Sequence, residues 1–402
     1  MMQRTSKKSL FVIATGGHAV TDLYSSFIIG LIPILAIKFS LSLFMISILT
    51  STASISNSLT QPVFGYLSDK YGSRYFLFAG PLFSSILISL IPILPSYYLV
   101  IIFLFLGNLS ISAFHPSNAA MSGHYGGRRK GLISSIISFS GTMGYSLGSI
   151  FIILIIEKIG IHYTPLAMIP GIVMALITIK FLPAFSLVHT KKSTSNLFQK
   201  IRSLNKIKTM LFAIVFIVSF SRDLLWLALV TFMPIYFTNL KVSLINTGYI
   251  LMVFNLVGAF GGLLAGFYWD RIKHKTYLIQ AGLVLSLPFF YFTFKTQGLI
   301  SIAFFIIGGF FIISTLPLCI RISQDIFPSN ISLASALVMG LSAGGASLVM
   351  IGIGKIADYI GIIRVVSYIL IIPFIVSLLL FLFPYLYNKH NSKPVKIQKE
   401  LI

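Results

Sequence analysis

Long apolar runs separated by short polar breaks dominate the chain from end to end. A helix rises 1.5 Å per residue, so about 20 apolar residues cross the roughly 30 Å of membrane hydrocarbon. The runs and their breaks predict twelve transmembrane helices near residues 10–37, 43–67, 75–94, 97–121, 131–156, 161–183, 209–238, 243–268, 276–294, 298–322, 332–357 and 362–385. The longest break, 184–208, is basic and polar. Within it "LFQKIRSLNKIK" sets Leu197, Ile201, Leu204 and Lys208 at helical spacing, which fits a helix on the inner membrane surface or a flexible linker equally well. The organisation expected is all-α and integral to the membrane: a six-helix bundle over 1–183, a linker over 184–208, a second six-helix bundle over 209–387 and a basic tail over 388–402.

Sliding the chain over itself by 201 positions, without gaps, pairs Asp22 with Asp223, Pro33 with Pro234, Ser42 with Ser243, Gly65 with Gly266 and Asp69 with Asp270. The same offset pairs Gly107 with Gly308, Pro116 with Pro317, Gly144 with Gly345 and Gly160 with Gly361. One shift thus matches turn glycines, kink prolines and charges through most of the chain. An internal repeat of this kind implies two related halves, with a substrate site near the midplane where they meet.

Composition agrees with the pattern. Of 402 residues, 56% are apolar and 9% charged, against roughly 25% charged in soluble domains. The net charge of +22 invites a nucleic-acid reading. Its distribution argues otherwise: 23 of the 30 Lys and Arg fall in alternate connections and the termini, and six in the opposite set. Basic loops stay in the cytoplasm, so both termini are expected there, in a cytoplasmic membrane protein that contacts lipid and no nucleic acid. Cys319 is the single cysteine and permits no internal disulfide. The first apolar run is too long for a signal-peptide core and is interrupted by His18 and Asp22, so no cleavable signal is expected.

Ionisable groups inside spans are costly, by about 2.5–3.5 kcal/mol on insertion scales, and mark pathways or partners. The candidates are His18, Asp22, His115, Arg222 and Asp223. At 1.5 Å per residue, Asp22 lies about 18 Å into the first span and Arg222 about 20 Å into the seventh, while His18 and His115 lie about 12 and 9 Å from the cytoplasmic ends of theirs. The expectation is two imidazoles below a carboxylate–guanidinium layer. His18 and Asp22, four apart, share one helix face. Asp22 is expected to carry a proton, with His18 and His115 as relay or substrate ligands; a static polar clasp is the plainer alternative. Arg222, with a planar fork suited to an anion, and Asp223 are expected in the substrate site; the alternative for Arg222 is a counter-ion to the two carboxylates. Asn57 and Gln61 share a face of the second span, and Tyr24 and Trp226 sit near the two Asp residues as candidate stacking groups. Arg321 and Asp325, four apart, read as a local ion pair.

"GYLSDKYGSRYF" joins the second and third spans and "GFYWDRIKHKTY" the eighth and ninth, each reading Gly-x-x-x-Asp-basic. An Asp at such a turn can accept from the free N–H groups of a neighbouring helix and latch it. Gly65, Asp69, Gly72, Arg74, Gly266, Asp270 and Arg271 are therefore the candidate conformational gate, with a hairpin cap as the alternative. At this point the chain resembles the major facilitator superfamily, whose signature is that Asp loop, here with Ser73 where a second basic residue is common. "GHAVTDLYSSFIIGLIPIL", "SAFHPSNAAMSGHYGGRRKGL" and "SFSRDLLWLALVTFMPIYF" are similar to its fosmidomycin-resistance branch. "GTMGYSLGS" in the fifth span resembles the antiporter motif of drug exporters, with Ser149 where many have Pro.

The resemblance implies a major facilitator fold and proton-driven export of small drug-like compounds, without cofactor or metal. Proton-coupled uptake of a small organic anion uses the same scaffold. A membrane acyltransferase reading of His-x-x-x-Asp lacks a nucleophile arrangement and leaves the duplication unexplained. A single chain is expected to suffice.

Overall fold

The computed structural model describes residues 7–71, 73–125, 130–182, 206–269, 271–272, 275–327 and 337–391. The described residues are almost entirely helical and contain no strand. Twelve helices among them are long and apolar enough to cross a membrane: α1 Ser9–Phe39, α2 Leu43–Ser68, α3 Ser73–Ile93, α4 Tyr97–Ala119, α5 Ile136–Lys158, α6 Ile161–Phe181, α7 Lys206–Asn239, α8 Leu244–Tyr268, α9 Thr276–Lys295, α10 Gly298–Ile326, α11 Leu337–Ile360 and α12 Ile362–Leu386. The twelve expected spans are all present. The segment proposed as a surface helix or linker lies almost wholly outside the described residues.

The duplication in the sequence is a duplication of geometry. The chain leaves α1 through Ser40 at φ 51° and leaves α7 through Lys241 at φ 60°. Leu41 N–H then donates to Ala36 O (2.9 Å), and Val242 N–H to Phe237 O (3.1 Å). Ser42 Oγ caps α2 by accepting from Met45 N–H (3.2 Å), and Ser243 Oγ caps α8 by accepting from Asn246 N–H (3.2 Å). Gly160 and Gly361 both hold positive φ, 117° and 83°, where a side chain is strained. Every one of these pairs is 201 residues apart.

Two antiparallel seams, related by that same offset, join the halves. Along α2 and α11, Ser54 and Ser347 hydroxyls meet at 2.6 Å. A Cβ at Gly354 would fall 2.0 Å from Ser47 Oγ, and one at Gly344 2.3 Å from Leu59. Along α5 and α8, a Cβ at Gly248 would fall 2.8 Å from Ile153. Thr231 of α7 also donates to Thr50 of α2 at 3.0 Å. Close approach at small residues is how helices associate where lipid supplies no hydrophobic drive.

The α2–α11 seam ends at Asp358, whose carboxylate accepts from Leu43 N–H (2.6 Å) and Phe44 N–H (3.1 Å). These are free N–H groups in the first turn of α2, at the positive end of its dipole. A carboxylate from the second half therefore caps a helix of the first, at the end of the molecule away from the sequence termini.

Losing a cap of this kind costs about 1 kcal/mol, roughly a fivefold change in an equilibrium. Asp358→Ala is expected to raise the population with this seam parted about fivefold. Electron–electron distance measurements between spin labels on the ends of α2 and α11 check this; an unchanged distribution refutes it.

Candidate functional site

The first turns of α1 set Gly16 and Gly17 before His18, and the four-residue step to Asp22 stacks the two side chains. His18 Nε2 lies 3.3 Å from Asp22 Oδ2. Across from α1, α4 runs through Pro116, which follows His115, whose Nε2 lies 3.4 Å from Asp22 Oδ1. The two imidazoles stand edge to face with centroids 5.3 Å apart. Each carboxylate oxygen of Asp22 thus faces one imidazole nitrogen. All three side chains keep partial exposure, 15–21%.

α5 closes the other side. His18 Nδ1 donates to Ile137 O at 2.7 Å, which orients the ring. A Cβ at Gly141 would lie 2.6 Å from both Asp22 Oδ2 and His18 Nε2. Glycine is therefore required here, as at Gly144 and Gly148, where a Cβ would fall 1.9 Å from the α1 carbonyls of Ala19 and Leu23. One turn beyond Gly141, the half-buried Tyr145 ring lies 6.1 Å from that of Trp226 on α7, bridging the two halves.

The second half contains the same arrangement, altered in chemistry. At an offset of 201, Ile137 becomes Val338, His18 becomes Ser219, Asp22 becomes Asp223 and Gly141 becomes Ser342. Ser219 Oγ donates to the Val338 carbonyl at 3.4 Å, as His18 does to Ile137. The Ser342 hydroxyl stands where Gly141 leaves room and hydrogen-bonds the Asp223 carboxylate. Arg222 pairs with Asp223, and both are about 95% buried. At the place of Arg222 the first half has Thr21.

The expected shared layer of Asp22 and Arg222 is thus two separate clusters: Asp22 meets imidazoles, whereas Arg222 turns to its own neighbour, Asp223. Tyr24 was expected to stack on a ligand. It is instead fully buried, donating to Ala167 O (2.8 Å) and accepting from Gly171 N–H (3.0 Å), so it clasps α1 to α6. Asn57 and Gln61 lie on α2 just inside the seam. Asn57 Oδ1 is buried without a partner among the described residues, as is Arg222 Nε, while Gln61 is half-buried.

Of the expected gate, Arg74 donates to Ile179 O (2.8 Å) and so joins α3 to the last turn of α6, within one half. Arg271 stacks over Phe267 at 4.3 Å. Gly65 and Gly266 have room for a side chain, so close approach is not their reason in this conformation. Gly72, Asp270 and the side chain of Asp69 lie outside the described residues. Arg321 and Asp325 form an exposed pair at 3.6 Å.

Tyr145, Gly141, Ser219, Ser342 and Asp358 were not expected to matter. The offset of 201 was the signal for the two serines: applied to His18 and Gly141, it lands on Ser219 and Ser342.

Twelve helices in two duplicated halves, with partly exposed ionisable groups inside the spans, define a solute-carrier architecture. The sequence profile of the Major Facilitator Superfamily matches residues 14–332, and the chain belongs to that family. It is 26% identical over 371 residues to the fosmidomycin resistance protein of Escherichia coli (strain K12), covering 91% of this chain and 90% of that protein. Among solved structures it is similar to a bacterial homologue of the human lysosomal transporter Spinster, in an inward-facing and unoccupied conformation. That match has a TM-score of 0.80 and 14% identity, over 98% of this chain and 100% of the other. It is also similar to a D-xylose–proton symporter, with a TM-score of 0.75 and 15% identity, over 94% and 97%. Family and relatives identify a multi-pass membrane transporter of small molecules rather than an enzyme.

Removing one member of a buried ion pair costs about 3–5 kcal/mol, because a charge is left uncompensated, whereas replacing both by apolar groups is often neutral. Asp223→Ala is expected to lower thermal stability by that amount, and the double variant Arg222→Leu/Asp223→Leu to recover most of it. Scanning calorimetry of the detergent-purified protein checks this. An Asp223→Ala protein as stable as the parent shows that the pair is not a clasp.

Proposed function

We propose that this chain is a proton-coupled exporter of a small organic solute. It works by alternating access in the cytoplasmic membrane, as a single chain with both termini in the cytoplasm. One observation carries the reading: Asp22 lies between two imidazoles with its hydrogen-bond partners arranged so that a proton must be shared. The Ile137 carbonyl only accepts, so His18 Nδ1 carries a hydrogen. A neutral His18 then turns a bare Nε2 toward Asp22 Oδ2 at 3.3 Å, acceptor against acceptor. A proton between them, on either group, resolves the conflict.

The proton belongs to the cluster, and His115 offers it a second way out. Parting the halves changes hydration around the three groups and so alters where that proton sits. Asp223, held by Arg222 and Ser342, has its own cation and hydroxyl donor beside it. Tyr145 and Trp226 straddle the halves and supply aromatic faces to a solute; Arg222, Asn57 and Gln61 complete the polar lining. The cap of Asp358 on α2 holds the outer face closed while the inner face loads. A membrane potential of 100 mV contributes about 2.3 kcal/mol per charge moved across. Export is favoured by likeness to a resistance protein, not by a feature of the site.

Asp22→Asn is expected to abolish transport driven by an imposed pH gradient in proteoliposomes while solute exchange without a gradient persists. Wild-type-like proton coupling in that variant refutes the reading. Solute accumulating with the proton gradient, rather than against it, makes the protein an uptake symporter.

A further inference from the structure

The halves balance their buried carboxylates differently. Asp223 has the Arg222 guanidinium beside it and the Ser342 hydroxyl above it. Asp22 has Thr21 in place of the guanidinium and Gly141 in place of the hydroxyl, so its charge is met only by imidazoles and by what enters from outside.

We propose that His18 Nε2, the Asp22 carboxylate and His115 Nε2 form a binding site for a divalent first-row transition ion of the zinc class, whose occupancy arrests the carrier. Two nitrogens and one carboxylate are the donor set that suits such ions, with a position left over for water. At Zn–N and Zn–O bonds of about 2.0–2.1 Å, the edge of a tetrahedral ligand set is about 3.3–3.4 Å. His18 Nε2 stands 3.3 Å from Asp22 Oδ2 and His115 Nε2 3.4 Å from Asp22 Oδ1, so each imidazole is one such edge from its own carboxylate oxygen. Taking one ligand atom from each residue, all three lie within 4.8 Å of one another, so an ion on a single carboxylate oxygen draws the second imidazole toward it.

The supporting contacts are also those of a metal centre. The Nδ1–H of His18 donates to a backbone carbonyl, which turns the lone pair of Nε2 toward Asp22; ligating histidines are oriented in this way. Glycine at 141 keeps the near side of Asp22 Oδ2 and His18 Nε2 open, where a Cβ would intrude to 2.6 Å from each. Two neutral imidazoles and one carboxylate carry a single negative charge, which a dication over-balances to +1. The ion also ties α1 to α4 through a bond that rocking of the halves does not break, and it occupies the nitrogens and oxygens that a proton needs.

Binding stands on the donor geometry alone; arrest of transport rests on the proposed role of Asp22. Visible absorption of cobalt added to the purified full-length protein at fixed pH reads the first. One equivalent is expected to give the intense bands of a four-coordinate ion, displaced by zinc. His18→Gln and His115→Gln are each expected to weaken binding about tenfold or more, whereas His162→Gln, exposed in the first turn of α6, leaves it unchanged. Absence of a one-equivalent site in the unmodified protein overturns the inference, whatever the variants do. So does binding indifferent to both His18→Gln and His115→Gln, or lost with His162→Gln. Zinc at saturation is expected to reduce proteoliposome flux at least tenfold. Binding without arrest overturns the inhibitory half and counts against Asp22 as coupling group. Arrest without the cobalt spectrum places the inhibitory ion elsewhere and overturns the site.

Discussion

A carboxylate inside hydrocarbon needs a cation, and the two halves of this protein meet that requirement in opposite ways. Asp22 and Asp223 occupy duplicated places on α1 and α7. Asp223 is answered from within by Arg222, with a serine hydroxyl filling the remaining space. Asp22 is answered by two groups whose charge is itself conditional. A protein needing two rigid clasps would gain nothing from this difference. A carrier needing one fixed half and one responsive half does.

Glycine is what keeps the responsive half responsive. At 141 a single β-carbon would displace whatever shares Asp22 and His18; at 342 the same place holds a hydroxyl that satisfies Asp223. The duplicated chain thus retained the backbone geometry, down to the left-handed turns at Ser40 and Lys241. It diversified at four positions around the carboxylate: His18 against Ser219, Thr21 against Arg222, His115 against Leu316, and Gly141 against Ser342. Polarity is set there, while the turns that aim the helices are kept.

The fold was almost wholly legible in the sequence, because hydrocarbon thickness sets helix length and unsatisfied backbone is not tolerated in lipid. The duplication was legible for the same reason: its markers, Pro116 with Pro317 and Gly160 with Gly361, are backbone constraints visible as letters. The site was legible in one dimension. Counting residues at a known rise gave depth, and depth put His18 and His115 at one level, about a turn below Asp22. Depth does not give rotation about the helix axis. Arg222 was therefore expected to face Asp22 when its guanidinium turns to Asp223, and Tyr24 was expected in the cleft when its hydroxyl is engaged by α6.

Asp358 shows how the missing coordinate is supplied. Nothing in its own neighbourhood marks it, since an acid near the end of a span is ordinary. Its partner is the start of α2, 315 residues away, and the contact exists only because the halves close on one another. A cap that joins two rigid bodies contributes to whichever arrangement places its acceptor over the free N–H groups, and nothing to the other. Its strength, about 1 kcal/mol, is small enough for one proton or one bound solute to overcome. That scale suits a carrier: a stronger latch would hold the halves in a single state, and a weaker one would leave both faces open at once.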